Sequence, residues 1–124
     1  MKRVYLPSTD TTGTPLSGAY EVSGLVYISG QIHIGESKQL EGNTIEEKFG
    51  VAMTNVGKIL SEAGLTLADV IRVQLYLADI SELPALNKEY IKYFQHPLPA
   101  RTAIGVNALP LGASLEIDVI AARE

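Results

Sequence analysis

Cysteine and tryptophan are absent from this chain of 124 residues, and histidine occurs only twice. Without cysteine there is no disulfide framework, no thiolate nucleophile and no cysteine-rich metal site, which agrees with a reducing compartment. The two histidines, His33 and His96, are not spaced as metal ligands, and no cluster of carboxylates accompanies them. The sequence therefore predicts no built-in metal, and both histidines are expected in surface loops without a role.

Long apolar runs and an excess of positive charge are also missing. No stretch is apolar over the length that a bilayer requires, and the basic residues Lys2 and Arg3 precede no apolar run of the kind found in secretory signals. Ten basic and fourteen acidic residues give a net charge of −4, which disfavours binding to polyphosphates. These absences predict a cytoplasmic protein that binds neither membranes nor nucleic acid.

Periodic apolar patterns and turn signals divide a single domain, residues 1–124, into strands and two helices. The predicted elements are a hairpin of strands at 20–22 and 25–30, a helix from the capping box at Thr44 to Gly64, a strand at 71–77, a helix that starts at Asp79 or Ser81 and stops before His96, and strands at 100–106 and 113–122. The order is ββαβαβ with a further strand fragment at the start or the end. It predicts an α+β sandwich of two layers, with a mixed sheet of five to six strands and two helices on one face.

Two helices can cover only one face of such a sheet. The strand segments 25–28 and 115–120 are nevertheless substantially apolar on both faces. A second copy of the chain would cover the remaining apolar face, which soluble monomers rarely expose. The sequence therefore predicts a homo-oligomer with its sites at the subunit seams.

Arg101 is the first candidate for chemistry, because it stands at the start of a predicted strand whose next alternating positions, Ala103 and Gly105, are small. A guanidinium in that space can bind a carboxylate with two parallel hydrogen bonds. The alternative is a structural salt bridge at a strand edge.

Glu116 is the second candidate, since it interrupts the apolar alternation of the last strand. If that strand neighbours the strand of Arg101, the two side chains could face each other, and Glu116 could orient the guanidinium or hold a water molecule for proton transfer. An ordinary cross-strand ion pair is the alternative.

Four further residues are candidates for substrate binding. Gly30 permits close approach of a ligand to the backbone and Ser29 offers a hydroxyl, although the pair could equally form a simple turn. Asn87 lies on the apolar side of the second helix, where its amide needs a partner in a loop or a ligand. Tyr20 could cover a small planar substrate or simply pack.

Several segments, in this order, resemble the Rid family, also called the YjgF family. The resemblance covers almost the whole chain and is most specific in Ser29-Gly30-Gln31, in the helix with Asn87, Tyr90 and Phe94, in Pro99-Ala100-Arg101, and in Glu116-Ile117-Asp118. The wider matching segments are 18–20, 26–31, 55–64, 87–94, 99–102 and 115–121.

The resemblance implies a chorismate-mutase-like fold, a homotrimer with clefts at its subunit interfaces, and hydrolysis of 2-aminoacrylate or 2-iminopropionate to a 2-oxo acid and ammonia without a cofactor. In that family pattern Arg101 would bind the substrate carboxylate and Glu116 would assist water or proton movement. Tyr20, Ser29, Gly30 and Asn87 would line the cleft. An iminium carbon is already electrophilic, so positioning and charge neutralisation can suffice.

Glu21 and Ala103 are among the departures from the pattern of many deaminating members. Glu21 replaces a serine after Tyr20 and is expected to bring a carboxylate near the anion-binding mouth, where it would alter substrate choice. Ala103 replaces a cysteine two residues after Arg101.

Two other functions stay open: a regulatory protein that binds small carboxylic acids without turnover, and an endoribonuclease or translation inhibitor, against which the net charge of −4 argues.

Overall fold

The computed structural model describes residues 3–5, as backbone only, and residues 15–124. Within them it contains six strands and two α-helices, which confirms the predicted alternation and places the additional strand fragment at the start. The elements are β1 (Arg3–Tyr5), β2 (Ala19–Val22), β3 (Leu25–Ile32), α1 (Ile45–Glu62), β4 (Val70–Leu77), α2 (Leu83–Tyr90), β5 (Ala100–Gly105) and β6 (Leu115–Ala122).

The strands form one sheet in the order β1-β2-β3-β6-β4-β5. All neighbours are antiparallel except β4 and β5, which are parallel because α2 crosses over between them. The hairpin of β2 and β3 closes through Ser23 and Gly24, both with positive φ (52° and 79°), as a tight two-residue hairpin turn requires. The sheet is therefore mixed, as predicted.

Helix α1 begins at Thr44, whose side chain accepts a hydrogen bond from the Glu47 N–H at 3.1 Å. The Glu47 carboxylate reaches back to the N–H of Asn43 at 2.9 Å, one residue before the expected partner. The helix ends beside Gly64, which adopts a φ of +74°. Both signals at the helix ends were readable in the sequence because each acts through local hydrogen bonds.

Both helices pack on one face of the sheet. In β6, the fully buried residues Leu115, Ile117, Val119 and Ala121 point to the helices, and the alternate residues, among them Glu116, point to the other side. That other side, here called the open face, carries large apolar side chains more than 40% exposed, namely Tyr20, Tyr27 and Ile104. Neither helix of the described part of the chain combines the length and the apolar composition of a membrane span.

Candidate active site

Arg101 lies on β5, the edge strand, with its side chain on the helix side of the sheet. Its Nη1 donates a hydrogen bond to Oδ1 of Asn87 at 2.8 Å, and its Cζ lies 4.7 Å from the centre of the Tyr90 ring. No carboxylate among the described residues pairs with it. The structural salt bridge considered as its alternative is therefore absent from this part of the chain, and the guanidinium charge is held by neutral groups.

Asn87 and Tyr90 come together because they are three residues apart on α2, and residues at this spacing share one side of a helix. The Asn87 side chain contacts Arg101 instead of the loop backbone that was its alternative partner. Tyr90 is buried, and burial raises the pKa of its phenol. It therefore stays neutral and presents a π face to the cation.

Glu116 lies on the open face of β6, in register with Ile32 of β3 and Tyr76 of β4. Burial raises the pKa of its carboxyl group, and the nearby carboxylate of Asp118 raises it further. Within the described residues Glu116 forms no cross-strand ion pair, so that alternative is wrong there. Its carboxyl group is thus partly desolvated, and no cation among residues 15–124 pairs with it.

Gly30 lies directly against this carboxyl group, in a bulge of β3 where the register to β6 shifts. A Cβ atom at Gly30 would approach Cδ of Glu116 to 2.7 Å, well inside the van der Waals limit. The bulge and the missing side chain together make room for the carboxyl group beside the backbone of β3.

Ser29 and Tyr20 occupy the adjoining part of the sheet. The Ser29 hydroxyl donates to the carbonyl of Ser17 at 2.6 Å, and the Ser29 N–H donates to the carbonyl of Gly18 at 2.9 Å. These bonds attach the segment before β2 to the bulge. Ser29 and Gly30 therefore do not form a simple turn, which was the alternative. Ser29 and Tyr20 both line a cavity of about 330 Å³. The remaining lining residues are Leu16, Ser17, Ala19, Tyr27 and Ile28.

The candidates therefore form two groups. The arginine half consists of Asn87, Tyr90 and Arg101, and the carboxylate half consists of Tyr20, Ser29, Gly30 and Glu116. Strand β4 separates the two, because Arg101 is in register with its Val73 and Glu116 with its Tyr76.

Three residues of strand correspond to roughly 10 Å, and the two side chains also point to opposite faces of the sheet. The condition for Arg101 and Glu116 to face each other, neighbouring strands, is therefore not met within one chain. The sequence could not reveal this, because it depends on β6 pairing between β3 and β4.

Glu21 behaves differently from the expectation as well. Its carboxylate accepts hydrogen bonds from Nε and Nη2 of Arg123, both at 2.9 Å, and the same Nη2 donates to the carbonyl of Ala63 at 2.8 Å. The carboxylate is thus neutralised by a bidentate pair that joins β2 to the chain end and to the end of α1. Ala103, by contrast, lies on the Arg101 side of β5, where it packs against the core.

Sequence reasoning missed His33, which was expected to be an idle surface residue. It is 2% exposed, and both ring nitrogens have partners. No pattern of spacing marks it, because its partners Glu41 and Ser114 lie in loops far apart in the sequence.

Two further features of the described residues lie outside the site. These residues contain no group of three or more side chains that could hold a metal ion. A larger cavity of about 740 Å³ lies between the end of α1 and the segment before β5, but none of the candidate residues lines it.

Comparison with known proteins gives consistent matches. The family model described as endoribonuclease L-PSP matches residues 9–123. The chain is 37% identical to a RutC family protein of Aquifex aeolicus, over 99% of this chain and 100% of that protein. It is 41% identical to the 2-iminobutanoate/2-iminopropanoate deaminase of Capra hircus, over 88% and 80%. The solved structure of YyfA, a Rid family protein of unknown function from Yersinia pestis, superposes with a TM-score of 0.90 at 31% identity, covering 98% and 99%.

Proposed function

The chain belongs to the Rid family, which the endoribonuclease L-PSP model describes, and on this basis we propose that it is an imine deaminase. The substrate is a short 2-imino acid, such as 2-iminopropionate, or its enamine tautomer 2-aminoacrylate. Water adds to the C=N carbon, the nitrogen accepts protons and leaves as ammonia, and a 2-oxo acid remains. The deaminase names of relatives at about 40% identity support this reaction class.

The observation that carries the proposal is that the Arg101 guanidinium contacts neutral groups and forms no ion pair with the described residues. A cation fixed by the Asn87 amide and the Tyr90 ring keeps donors for an external anion, and no internal carboxylate competes with it among the described residues. A planar fork of this kind suits a substrate carboxylate, which it would hold in two parallel hydrogen bonds.

Glu116 is proposed as the proton-transfer group. A carboxyl group with a raised pKa can exchange protons with water nearer to neutral pH than an ordinary glutamate can. In the proposed reaction it orients the attacking water and passes a proton to the leaving nitrogen, while Ser29, Gly30 and Tyr20 shape the cleft. No cofactor takes part in this scheme.

The two halves of the site require at least two chains to meet. We propose a homotrimer in which the arginine half of one subunit faces the carboxylate half of its neighbour at each interface. The apolar open face supports this assembly, since it lacks a cover within the described chain. The cytoplasm is the proposed compartment, supported by the absence of cysteine.

Arg101→Ala tests the proposal in an assay of 2-oxo acid and ammonia formed from 2-imino acids generated in situ. Loss of two charge-assisted hydrogen bonds should lower kcat/KM by about 100-fold, equivalent to about 2.7 kcal/mol. Lys92→Ala is the control: it removes the same charge from an exposed side chain beyond α2 and should leave the rate unchanged.

Two results would replace the proposal. If the wild type releases no ammonia above background but binds small 2-oxo acids through Arg101, the protein is a binding module. The family description favours RNA cleavage as a second candidate. Cleavage of single-stranded RNA that disappears in Arg101→Ala would establish it, although a net charge of −4 disfavours contact with phosphates.

A further inference from the structure

We propose that His33 is a positioning residue that fixes the start of β6 and thereby the carboxyl group of Glu116. This inference rests on the proposed function, since it assigns His33 a part in proton transfer by Glu116. His33 touches neither Arg101 nor the cavity beside Tyr20, and it acts only through the backbone that carries Glu116.

The hydrogen bonds of the ring determine its tautomer. Nδ1 lies 2.9 Å from the carbonyl of Glu41, which can only accept, so Nδ1 carries the proton. Nε2 then holds a lone pair and accepts the N–H of Ser114 at 3.0 Å. The neutral ring thus connects the loop after β3 to the residue just before β6. A protonated ring would turn an N–H toward the N–H of Ser114.

The position of this contact makes it important for Glu116. Ile32 and Glu116 form the last pair of the β3–β6 ladder, and on its other side the ladder is shifted by the bulge at Gly30. Glu116 therefore sits on a short end section of the ladder. The bond from the Ser114 N–H to the His33 ring continues the pairing by one step, with a side chain in place of backbone.

Ser114 is held on each of its polar groups. Its hydroxyl accepts from Nζ of Lys48 at 2.9 Å, and its carbonyl accepts from the N–H of Ala78 at 3.0 Å. Removing the His33 acceptor would leave one partly buried N–H without this partner two residues before Glu116.

The charged groups around the ring come from each neighbouring element. Lys48 on α1 disfavours a second positive charge, and the Glu41 carboxylate in the loop is engaged by Ser37. Glu116 on β6 faces the open side of the sheet. Within the described part of the chain only backbone hydrogen bonds, chiefly that to Glu41, favour a protonated His33, and desolvation outweighs them, which agrees with a buried, neutral ring.

Two variants separate the two contacts of the ring. His33→Gln places an oxygen where Nε2 was and can still accept from Ser114, but it loses the bond to Glu41. His33→Asn places an amide nitrogen where Nδ1 was and can still donate to Glu41, but it leaves the Ser114 N–H unpaired. Each variant loses one partly buried hydrogen bond of the ring, so their melting temperatures should fall similarly.

The expected result is a difference in kcat. His33→Asn should lower kcat by about tenfold with KM nearly unchanged, because Arg101 still binds the carboxylate. His33→Gln should keep kcat within about threefold of the wild type. Amide hydrogen exchange over residues 113–117 should accelerate in His33→Asn only.

The remaining outcomes are distinguishable. Equal loss of kcat in both variants, or no loss in either, overturns the positioning role and leaves the deaminase proposal intact. A wild type that hydrolyses no imine overturns both. If His33→Asn does not fold, the wild type can be titrated by NMR: the Ser114 amide should lose protection at the same midpoint as the His33 ring titrates, and separate midpoints would contradict the proposal.

Discussion

At the scale of single residues, the absence of a side chain at Gly30 is what makes room for Glu116. A Cβ atom there would meet the carboxyl group of Glu116, with its Cγ at 3.1 Å and its Cδ closer still. Gly30→Ala should therefore displace Glu116 and lower the rate of imine hydrolysis by at least about tenfold.

Gly57 provides the matched control. It lies in α1, and a Cβ atom added there meets nothing within 4 Å. Gly57→Ala should keep the rate and raise the free energy of unfolding by about 0.5–1 kcal/mol, because alanine is the better helix former. Comparable rate losses in Gly30→Ala and Gly57→Ala would show that the space beside Gly30 is not required for the position of Glu116.

His33 also controls how stability depends on pH. Desolvation lowers the pKa of its imidazole below the ordinary 6.5, the backbone bond to Glu41 partly opposes this shift, and Lys48 lowers it further. With the folded pKa below the unfolded one, the unfolded state binds more protons. The stability that the neutral His33 ring contributes to the folded state is therefore fully present above pH 6.5. It is lost as the pH falls through the lowered pKa.

Glu116 and Asp118, whose pKa values are raised, change stability in the opposite sense, so variants must be compared with the wild type. Because glutamine does not titrate, the melting temperature of His33→Gln should fall less than that of the wild type as the pH is lowered below 6.5. If the melting temperatures of His33→Gln and the wild type fall in parallel with pH, His33 is not the source of this pH dependence.

The sequence identified Glu116 and Asn87 as chemically notable because each interrupts an apolar pattern, and Arg101 because small residues follow it at the alternating positions of its strand. It did not reveal their partners. Whether Arg101 meets a carboxylate or an aromatic ring is decided by how α2 packs beside β5, and that contact has no signature in residue spacing. His33 carried even less signal, since a lone histidine in a polar stretch is the same in sequence whether it is buried or exposed.

At the scale of elements, local hydrogen-bonding signals determine where the helices begin and end. Helix α1 begins and ends where Thr44 and Gly64 predict. Helix α2 is shorter than its apolar pattern suggests, because beyond Tyr90 the hydrogen bonds change to a spacing of three, from Lys92 to Glu89 and from Tyr93 to Tyr90. The tighter turn still directs Phe94 into the core, so the apolar period continues although the α-helix has ended.

The start of α1 can be tested directly. Thr44→Ala removes the acceptor of the Glu47 N–H and should lower the free energy of unfolding by about 1 kcal/mol. Thr54→Ala makes the same chemical change inside the helix, where the hydroxyl only donates to the carbonyl of Gly50, and should be neutral or slightly stabilising. Denaturant unfolding measures both, and equal losses would contradict a capping role for Thr44.

At the scale of the whole molecule, the strand order has the largest consequence for function. The uncovered face followed from counting two helices against a wide sheet. The insertion of β6 between β3 and β4 did not, because the pairing of distant strands depends on the complete tertiary structure. This insertion separates the arginine half from the carboxylate half, so the proposed function calls for a second chain to complete the site.

Subunit mixing tests this necessity. Arg101→Ala and Glu116→Gln should each be inactive alone, but co-expression in equal amounts places an intact arginine half beside an intact carboxylate half at about a quarter of the interfaces of a closed ring. About a quarter of the wild-type activity should return, as measured on purified mixed oligomers.

A double variant with both changes, mixed equally with wild-type chains, discriminates further. If each site draws on two chains, about a quarter of the sites contain only intact residues, whereas a site within one chain would leave about half of them active. Activity near half in this mixture, with none recovered from the two single variants, would place the complete site within one subunit. Such a site would require a movement of β5 past β4, which the parallel pairing from Arg72 with Ala100 to Leu77 with Gly105 opposes.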